Sequence, residues 1–97
     1  MITGPKTRDN SNTMGVAMLP RIVSVVAEPK TASVLATFDN GQLRRFDVTP
    51  LLSKGVFQQL QSEKAFAAVR VDEMGGIEWD AGPDLSRDTI YLDGIPI

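Results

Sequence analysis

The alternation of apolar and polar positions is clearest between Ser33 and Val48, where it predicts a β-hairpin. Two apolar-rich runs, Val34–Phe38 and Leu43–Val48, flank the tripeptide Asp39-Asn40-Gly41. Asn and Gly tolerate the positive φ angles that tight hairpin turns require. The tripeptide is therefore predicted to connect two antiparallel strands.

Two registers of this hairpin compete. A two-residue loop would pair Val34 with Asp47, whereas a three-residue loop pairs Val34 with Phe46. A slip of one residue turns a strand's whole set of side chains to the other face, so the register that gathers the apolar residues is favoured. We therefore predict a type I turn closed by a G1 bulge at Gly41. The apolar face of this register holds Val34, Ala36, Phe38, Phe46 and Val48. The second, mixed face holds Leu35, Thr37, Leu43, Arg45 and Asp47.

Further strands and helical turns are predicted on both sides of the hairpin. Arg21–Ala27 is rich in β-branched residues and apolar on both faces, which is typical of a central strand. Thr49-Pro50 resembles a helix start, because Thr can cap and proline at the first helical position loses no needed donor. The other predicted elements are a short helix over Val56–Gln61, a turn capped by Ser62 through Phe66, strands over Ala68–Val71 and Ile77–Trp79, and helical turns from Asp84 or Ser86 to Leu92.

These elements together predict an α+β fold. The expected sheet is five-stranded and mainly antiparallel: a three-stranded meander, then a helical segment, then two more strands, with short helices on one face. We expect the helical segment to pack on the apolar face of the hairpin through Leu52, Phe57, Leu60 and Phe66.

The length and composition indicate one domain. A chain of 97 residues can bury a core but is too short for two domains. Residues 1–18 are polar and lack periodicity, which predicts a disordered N-terminal arm before a single domain at residues 19–97. Met14 and Met18 are alternative start sites. The absence of Cys and of any signal-like or membrane-spanning apolar run makes a cytoplasmic location the expectation, without membrane contact.

The net charge of −2 is unevenly distributed along the chain. Residues 1–71 hold nine Lys and Arg against five Asp and Glu, whereas residues 72–97 hold one Arg against seven Asp and Glu. Solvated loops and helix ends explain this pattern, as does an acidic end that meets a basic partner. An acidic chain without a dense basic run is a poor generic binder of nucleic acid.

Several catalytic arrangements are excluded by composition. The chain has no His and no Cys, which removes the Ser-His-Asp and Cys-His arrangements and the usual zinc ligand sets. Carboxylates can perform acid–base catalysis or bind Mg²⁺ or Ca²⁺, but their spacing here matches no calcium loop. We predict solvated or turn-capping roles for them, and therefore assign no catalytic residue, metal or cofactor. The carboxylates concerned are Asp72, Glu73, Glu78, Asp80 and Asp84.

Three larger side chains have alternative interpretations. Trp79, the only Trp, either packs at the sheet edge over the Gly82-Pro83 loop or anchors an interface, where aromatic residues are favoured. Arg44 and Arg45 are expected on opposite faces of one strand. The stem of Arg44 then covers the rim of the apolar face, and Arg45 is a candidate for binding a carboxylate or phosphate.

The order of these short motifs resembles the bacterial family known as domain of unknown function 2442. The resemblance covers about residues 20–92 and is specific as an ordered set rather than in any one piece. The matching residues are Phe38-Asp39-Asn40-Gly41, Phe46-Asp47, Pro50-Leu51-Leu52, Gly55-Val56-Phe57, Leu60, Phe66, Val69-Arg70-Val71, Gly75-Gly76-Ile77-Glu78-Trp79 and Asp84-Leu85.

The resemblance implies an α+β fold and a two-protein context. Members of the family are often encoded beside a second small protein, in pairs that look like toxin–antitoxin modules. Some members add a C-terminal helix-turn-helix. We expect none after Ile97, which speaks against direct binding of an operator.

The resulting functional hypothesis is a non-enzymatic protein-interaction module, with the antitoxin-like member of such a pair as its specific form. The expected partner is a small protein, with a homodimer as the alternative and no direct contact with nucleic acid. The predicted surface consists of Leu35, Leu43 and Arg45, with Trp79 as an anchor. A nucleic-acid-linked regulator and an enzyme that uses the C-terminal carboxylates are the alternatives. The cations of the regulator hypothesis are Arg21, Lys30, Arg44 and Arg45.

Overall fold

Strands and short helices alternate in the computed structural model, which describes residues 19–97. The predicted arm over residues 1–18, with its alternative starts, lies outside the described residues. The strands are β1 (Ile22–Glu28), β2 (Ser33–Phe38), β3 (Leu43–Asp47), β4 (Val69–Val71), β5 (Ile77–Trp79), β6 (Asp84–Leu85) and β7 (Ile95–Pro96). The helices are α1 (Glu63–Ala67) and α2 (Arg87–Asp93), with 3₁₀ helices at Pro29–Thr31, Thr49–Leu51 and Gly55–Gln61.

The strands form two antiparallel sheets. The first has four strands in the order β1-β2-β3-β7, and the second has three in the order β4-β5-β6. The predicted α+β class and the meander are confirmed, but the prediction of one five-stranded sheet is wrong. Two strands, β6 and β7, are only two residues long, which is too short to give an apolar period. The N–H of Ile22 donates to the carbonyl of Gly75 (2.9 Å) and links the two sheets.

The β2–β3 hairpin has the predicted register. Val34 lies opposite Phe46, and the N–H of Gly41 donates to the carbonyl of Phe38 (2.9 Å), as in a type I turn. Gly41 has φ +86°, the positive angle that a G1 bulge needs. The predicted apolar face is buried, with each side chain at most 9 % exposed.

Strand β1 lies at the edge of the four-stranded sheet, so the prediction of a central strand is wrong. Val23 and Val26 are more than half exposed. A β-bulge between Ile22 and Ser24 shifts the register, as is common in edge strands. Strand β1 has apolar side chains on both faces, although only one face of the sheet is covered and the aliphatic groups on the other remain exposed.

The helical segment packs as predicted, but its start differs: Thr49 is the first helical residue rather than the cap, and no side chain caps this helix from Val48. Pro50 lies in the first turn of a 3₁₀ helix, and the hydroxyl of Ser62 caps α1 by accepting from the N–H of Ala65 (3.3 Å). Leu60 and Phe66 are buried in the core, with Leu52 and Phe57 packed against it. The segment therefore covers the apolar face of the hairpin. No helix within residues 19–97 is long and apolar enough to cross a membrane.

The turn conformation gives a direct test of the hairpin register. The space around a Cβ at Gly41 is empty to 4 Å, so substitution there acts through backbone strain alone. Gly41→Ala should lower the free energy of unfolding by about 1 kcal/mol, because L-residues disfavour left-handed φ. Gly41→Asn should cost less, since Asn tolerates this conformation. Urea unfolding measures both, and equal losses for the two variants would contradict the bulge.

Candidate functional site

The two faces of the four-stranded sheet have different surroundings. One, the inner face, carries the buried side chains of the hairpin and packs on the helices and the second sheet. The other, the outer face, consists of three rows of side chains that follow the strand pairing. The first row is Val26, Leu35, Arg45 and Ile95; the second is Ser24, Thr37, Leu43 and Ile97; the third is Glu28, Ser33 and Asp47.

The outer face is open to solvent in the described part of the chain. Val26 is 57 % exposed, Ile95 66 % and Ile97 64 %, whereas Leu35 and Leu43 between them are half-buried by their neighbours. Five aliphatic side chains thus lie on one sheet surface. Contiguous exposed apolar surface of this kind marks an interaction site more often than isolated surface residues do.

Three of the four residues proposed from sequence lie on the outer face. Leu35 and Leu43 supply its centre, and Arg45 continues the first row. Trp79 does not belong to it, and its prediction as an interface anchor is wrong. Its side chain is 2 % exposed, packs against Phe66 at a ring distance of 5.8 Å, and its Nε1 donates to the Phe66 carbonyl at 2.9 Å.

Sequence reasoning missed three members of the surface. The sequence predicts a central strand around Val26, although apolar residues on both faces also suit an edge strand with one uncovered side. Ile95 and Ile97 follow Leu92, the end of the last element predicted from the sequence. The N–H of Ile97 donates to the Leu43 carbonyl (3.1 Å), which extends the pairing of β7. The only sequence signal was the alternation Ile-Pro-Ile, which spans one period of a strand.

An ion pair between Arg45 and Glu28 adds charge to the outer face. Nε of Arg45 donates to Oε1 of Glu28 at 2.9 Å, and a second guanidinium nitrogen lies 3.4 Å from Oε2. This hydrogen bond, together with the charge of Arg45, lowers the pKa of Glu28, and the same contact raises the pKa of Arg45. Both side chains remain partly exposed, so the pair stabilises the fold only weakly.

A groove of about 640 Å³ opens at the end of the outer face. Its walls combine the ion pair with the turn between β1 and β2. The residues lining it are Glu28, Pro29, Lys30, Thr31, Ser33 and Arg45. The groove therefore adjoins the outer face at Ser33 and Arg45, with Lys30 in its wall.

The four cations of the nucleic-acid hypothesis do not form one patch. Arg44 lies on the inner side of β3, with its guanidinium 4.3 Å from the ring centre of Tyr91. Arg45 lies on the outer side and binds Glu28. Arg21 donates from its guanidinium to the Glu73 carbonyl (3.0 Å). Of the four, Lys30 and Arg45 share a surface, the groove beside the outer face, where Arg45 is paired with Glu28.

The carboxylates of the C-terminal stretch have local partners. Asp72 accepts from the N–H groups of Met74 and Gly76 at 2.8 and 2.9 Å, which closes its own turn. Glu78 and Asp80 both bind Arg70. Within residues 19–97 no group of three or more His, Cys, Asp or Glu side chains is arranged to hold a metal ion. These contacts agree with the turn-capping and solvated roles predicted from sequence.

Comparisons with known proteins give a family and a fold. Residues 22–96 match the protein family described as protein of unknown function (DUF2442). The fold is similar to the crystal structure of a protein of unknown function from Rhodospirillum rubrum ATCC 11170, with a TM-score of 0.60 and 24 % sequence identity. That alignment covers 78 % of this chain and 89 % of the other. No curated protein matches in sequence.

The ion pair on the outer face predicts a pH-dependent contribution to stability. The pKa of Glu28 is lower in the folded than in the unfolded chain, so the pair stabilises the fold at neutral pH. This contribution is lost as the pH falls through the folded pKa of Glu28. Glu28→Gln should therefore lower the melting temperature slightly at about pH 7, and this deficit should shrink as the pH falls below the ordinary pKa of a glutamate. Glu73→Gln is the matched control, and a deficit of Glu28→Gln that persists at low pH would contradict the account.

The burial of Trp79 predicts a large effect on stability. Trp79→Phe removes the only described donor to the Phe66 carbonyl and leaves unfilled volume in the core. The free energy of unfolding should fall by about 2–3 kcal/mol, measured by urea unfolding with circular dichroism. Tyr91→Phe is the control, because the Tyr91 hydroxyl makes only long, exposed hydrogen bonds of 3.4 Å. A similar loss for both variants would contradict the assignment of Trp79 to the core.

Proposed function

We propose that this chain, which belongs to the DUF2442 family, is a non-enzymatic protein-interaction module that docks a small protein on its outer face. The observation that carries the proposal is the uncovered aliphatic surface of the four-stranded sheet. Its most exposed members, Val26, Ile95 and Ile97, lie on the two outermost strands of that sheet and its extension. The half-buried leucines lie between them.

Burial of this surface supplies a driving force for docking. Covering a Val or Ile side chain that is about three-fifths exposed contributes on the order of 1 kcal/mol. Three such side chains and two partly exposed leucines therefore offer several kcal/mol before the cost of association. Because Val and Ile are β-branched and have few χ1 rotamers, their side chains lose little conformational entropy on binding.

The charges on the outer face favour a specific orientation of the partner. Arg45 and Glu28 are paired with each other, so a partner can cover the first row without burying an isolated charge. Lys30 lines the adjoining groove and can pair with an acidic group of the partner. Apolar contact then provides affinity, and charge pairing in the groove fixes the orientation of the partner on the outer face.

The antitoxin-like role is the specific form of this proposal. It draws on the resemblance to family members encoded in two-protein pairs that look like toxin–antitoxin modules. The open outer face suits such a role, because inhibition by docking needs a complementary surface rather than catalytic groups. The proposed setting is the cytoplasm of a bacterium.

A matched pair of substitutions tests the docking surface. Ile95 is 66 % exposed on the outer face, and Leu92 is 68 % exposed on α2. Ile95→Asp should reduce capture of a stoichiometric partner from lysate at least about tenfold, because it places an unpaired carboxylate in the contact. Leu92→Asp should leave capture unchanged. The measurement is affinity capture followed by mass spectrometry, with circular dichroism to verify folding.

The opposite outcomes would overturn the proposal. Equal recovery with Ile95→Asp and the wild-type protein would remove the outer face as the docking site. Loss of the partner with Leu92→Asp alone would move the site to α2.

A further inference from the structure

We infer that Asn40 is a deamidation site whose reaction the folded hairpin holds back, so that the modification marks chains in which the turn has opened. The site lies in the loop between β2 and β3 and is independent of the proposed docking role. Three observations support it: the glycine that follows Asn40, the hydrogen bond on the reacting nitrogen, and the dependence of the strand register on the length of this loop.

The reaction needs only an Asn, an accessible backbone nitrogen after it, and water. The nitrogen of Gly41 attacks Cγ of Asn40, so that an N–Cγ bond forms and the Cγ–Nδ2 bond breaks. Ammonia leaves with the proton of the Gly41 nitrogen. Water then opens the succinimide ring on either side and gives aspartate, or isoaspartate, in which the backbone runs through the side chain. Asn is a labile residue in this respect, and Asn40 is the only Asn in residues 19–97.

The reacting atoms lie at the open tip of the hairpin. Asn40 and Gly41 are both exposed, and the space around a Cβ at Gly41 is empty to 4 Å. Since glycine has no side chain, its nitrogen can approach the preceding side chain closely. The site is therefore chemically competent whenever the Gly41 nitrogen is free to react.

Hydrogen bonds hold this nitrogen in the folded turn. The N–H of Gly41 donates to the Phe38 carbonyl (2.9 Å), and its proton must leave before the ring can close. The N–H of Phe38 donates to the Gln42 carbonyl, and the N–H of Asp39 donates to the Arg21 carbonyl, both at 2.8 Å. The reaction therefore requires the turn to open. Breaking two such hydrogen bonds lowers the reactive population at least about tenfold.

Isoaspartate would lengthen the loop by one backbone atom. The register of the hairpin depends on a loop that closes at Gly41 with φ +86°. An extra atom before Gly41 displaces its N–H from the Phe38 carbonyl and weakens the strand pairing. Aspartate keeps the backbone unchanged, and its carboxylate can still accept from the N–H of Gln42, as Oδ1 of Asn40 does at 3.0 Å. Only the isoaspartate product therefore disfavours return to the folded state.

Peptide mapping by mass spectrometry tests the protection. The wild-type protein is incubated in mildly alkaline buffer, with and without urea at an unfolding concentration, and then digested with trypsin. Cleavage isolates Asn40 in the peptide of residues 31–44, apart from Asn10 and Asn12. Deamidation of this peptide should be at least about tenfold slower in the folded than in the unfolded protein. The free peptide of residues 31–44, kept in both buffers, corrects for any direct effect of urea on the reaction.

Tyr91→Phe is the matched control, because it removes a contact of the leaving amide without changing the backbone of the turn. Nδ2 of Asn40 lies 3.4 Å from the Tyr91 hydroxyl, and the folded variant should react at the wild-type rate. Equal rates in folded and unfolded wild-type protein, or no deamidation in either, would overturn the inference. A folded Tyr91→Phe protein that reacts as fast as the unfolded chain would also overturn it, because the protection would then come from this contact.

Thermal unfolding of the two products tests the effect on the register. Asn40→Asp supplies the aspartate form, which has the same charge as the isoaspartate form but a normal backbone. Its melting temperature should stay close to that of the wild-type protein. The isoaspartate form, separated by chromatography and refolded, should melt at least about 5 °C lower. Equal melting temperatures for the two forms would overturn the link between the modification and the strand register.

Discussion

The register of the β2–β3 hairpin is the constraint on which the remaining structure depends. Side chains alternate between the two faces of a strand, so the bulge at Gly41 decides which residues face the core. With this register Val34, Phe38 and Phe46 meet the helical segment and the second sheet. The same choice sends Leu35, Leu43 and Arg45 to the opposite side. The core and the outer face are therefore two consequences of one turn.

The molecule builds its core on one side of the sheet only. Phe66 and Trp79 pack together on that side, and the Trp79 side chain donates to the Phe66 carbonyl, which ties α1 to the second sheet. No element of residues 19–97 covers the aliphatic rows on the other side. A protein of this size gains stability from burying such groups, and under the proposed function a partner would supply the missing layer. The pairing of Arg45 with Glu28 makes that layer compatible with the charges present.

Much of the fold could be predicted because its signals are local. The turn tripeptide at Asp39, the Ser62 cap and the alternation in the hairpin each specify a few adjacent residues, and β5 has the predicted bounds. Strand β7 could not be found this way, because two residues and a proline carry no periodic signal and the pairing with β3 is long-range. Half of the site residues lie in the hairpin and could be predicted from its register. The positions of Val26 and Ile95 on the outer face could not, because they depend on which strands pair with the two sides of the hairpin. Trp79 shows the same limit: an aromatic residue after a glycine turn suits a core or an interface, and tertiary packing decides between them.

Site-specific photo-crosslinking in the cells that express the protein tests the central claim most directly. A photoreactive amino acid placed at Val26 on the outer face is compared with one placed at Val56, since the two positions are equally exposed. The account predicts a discrete crosslinked product from position 26 and none from position 56, whether the occupant is a second copy or another small protein. A product from position 56 alone, or none from position 26, would contradict the outer face as the interaction surface.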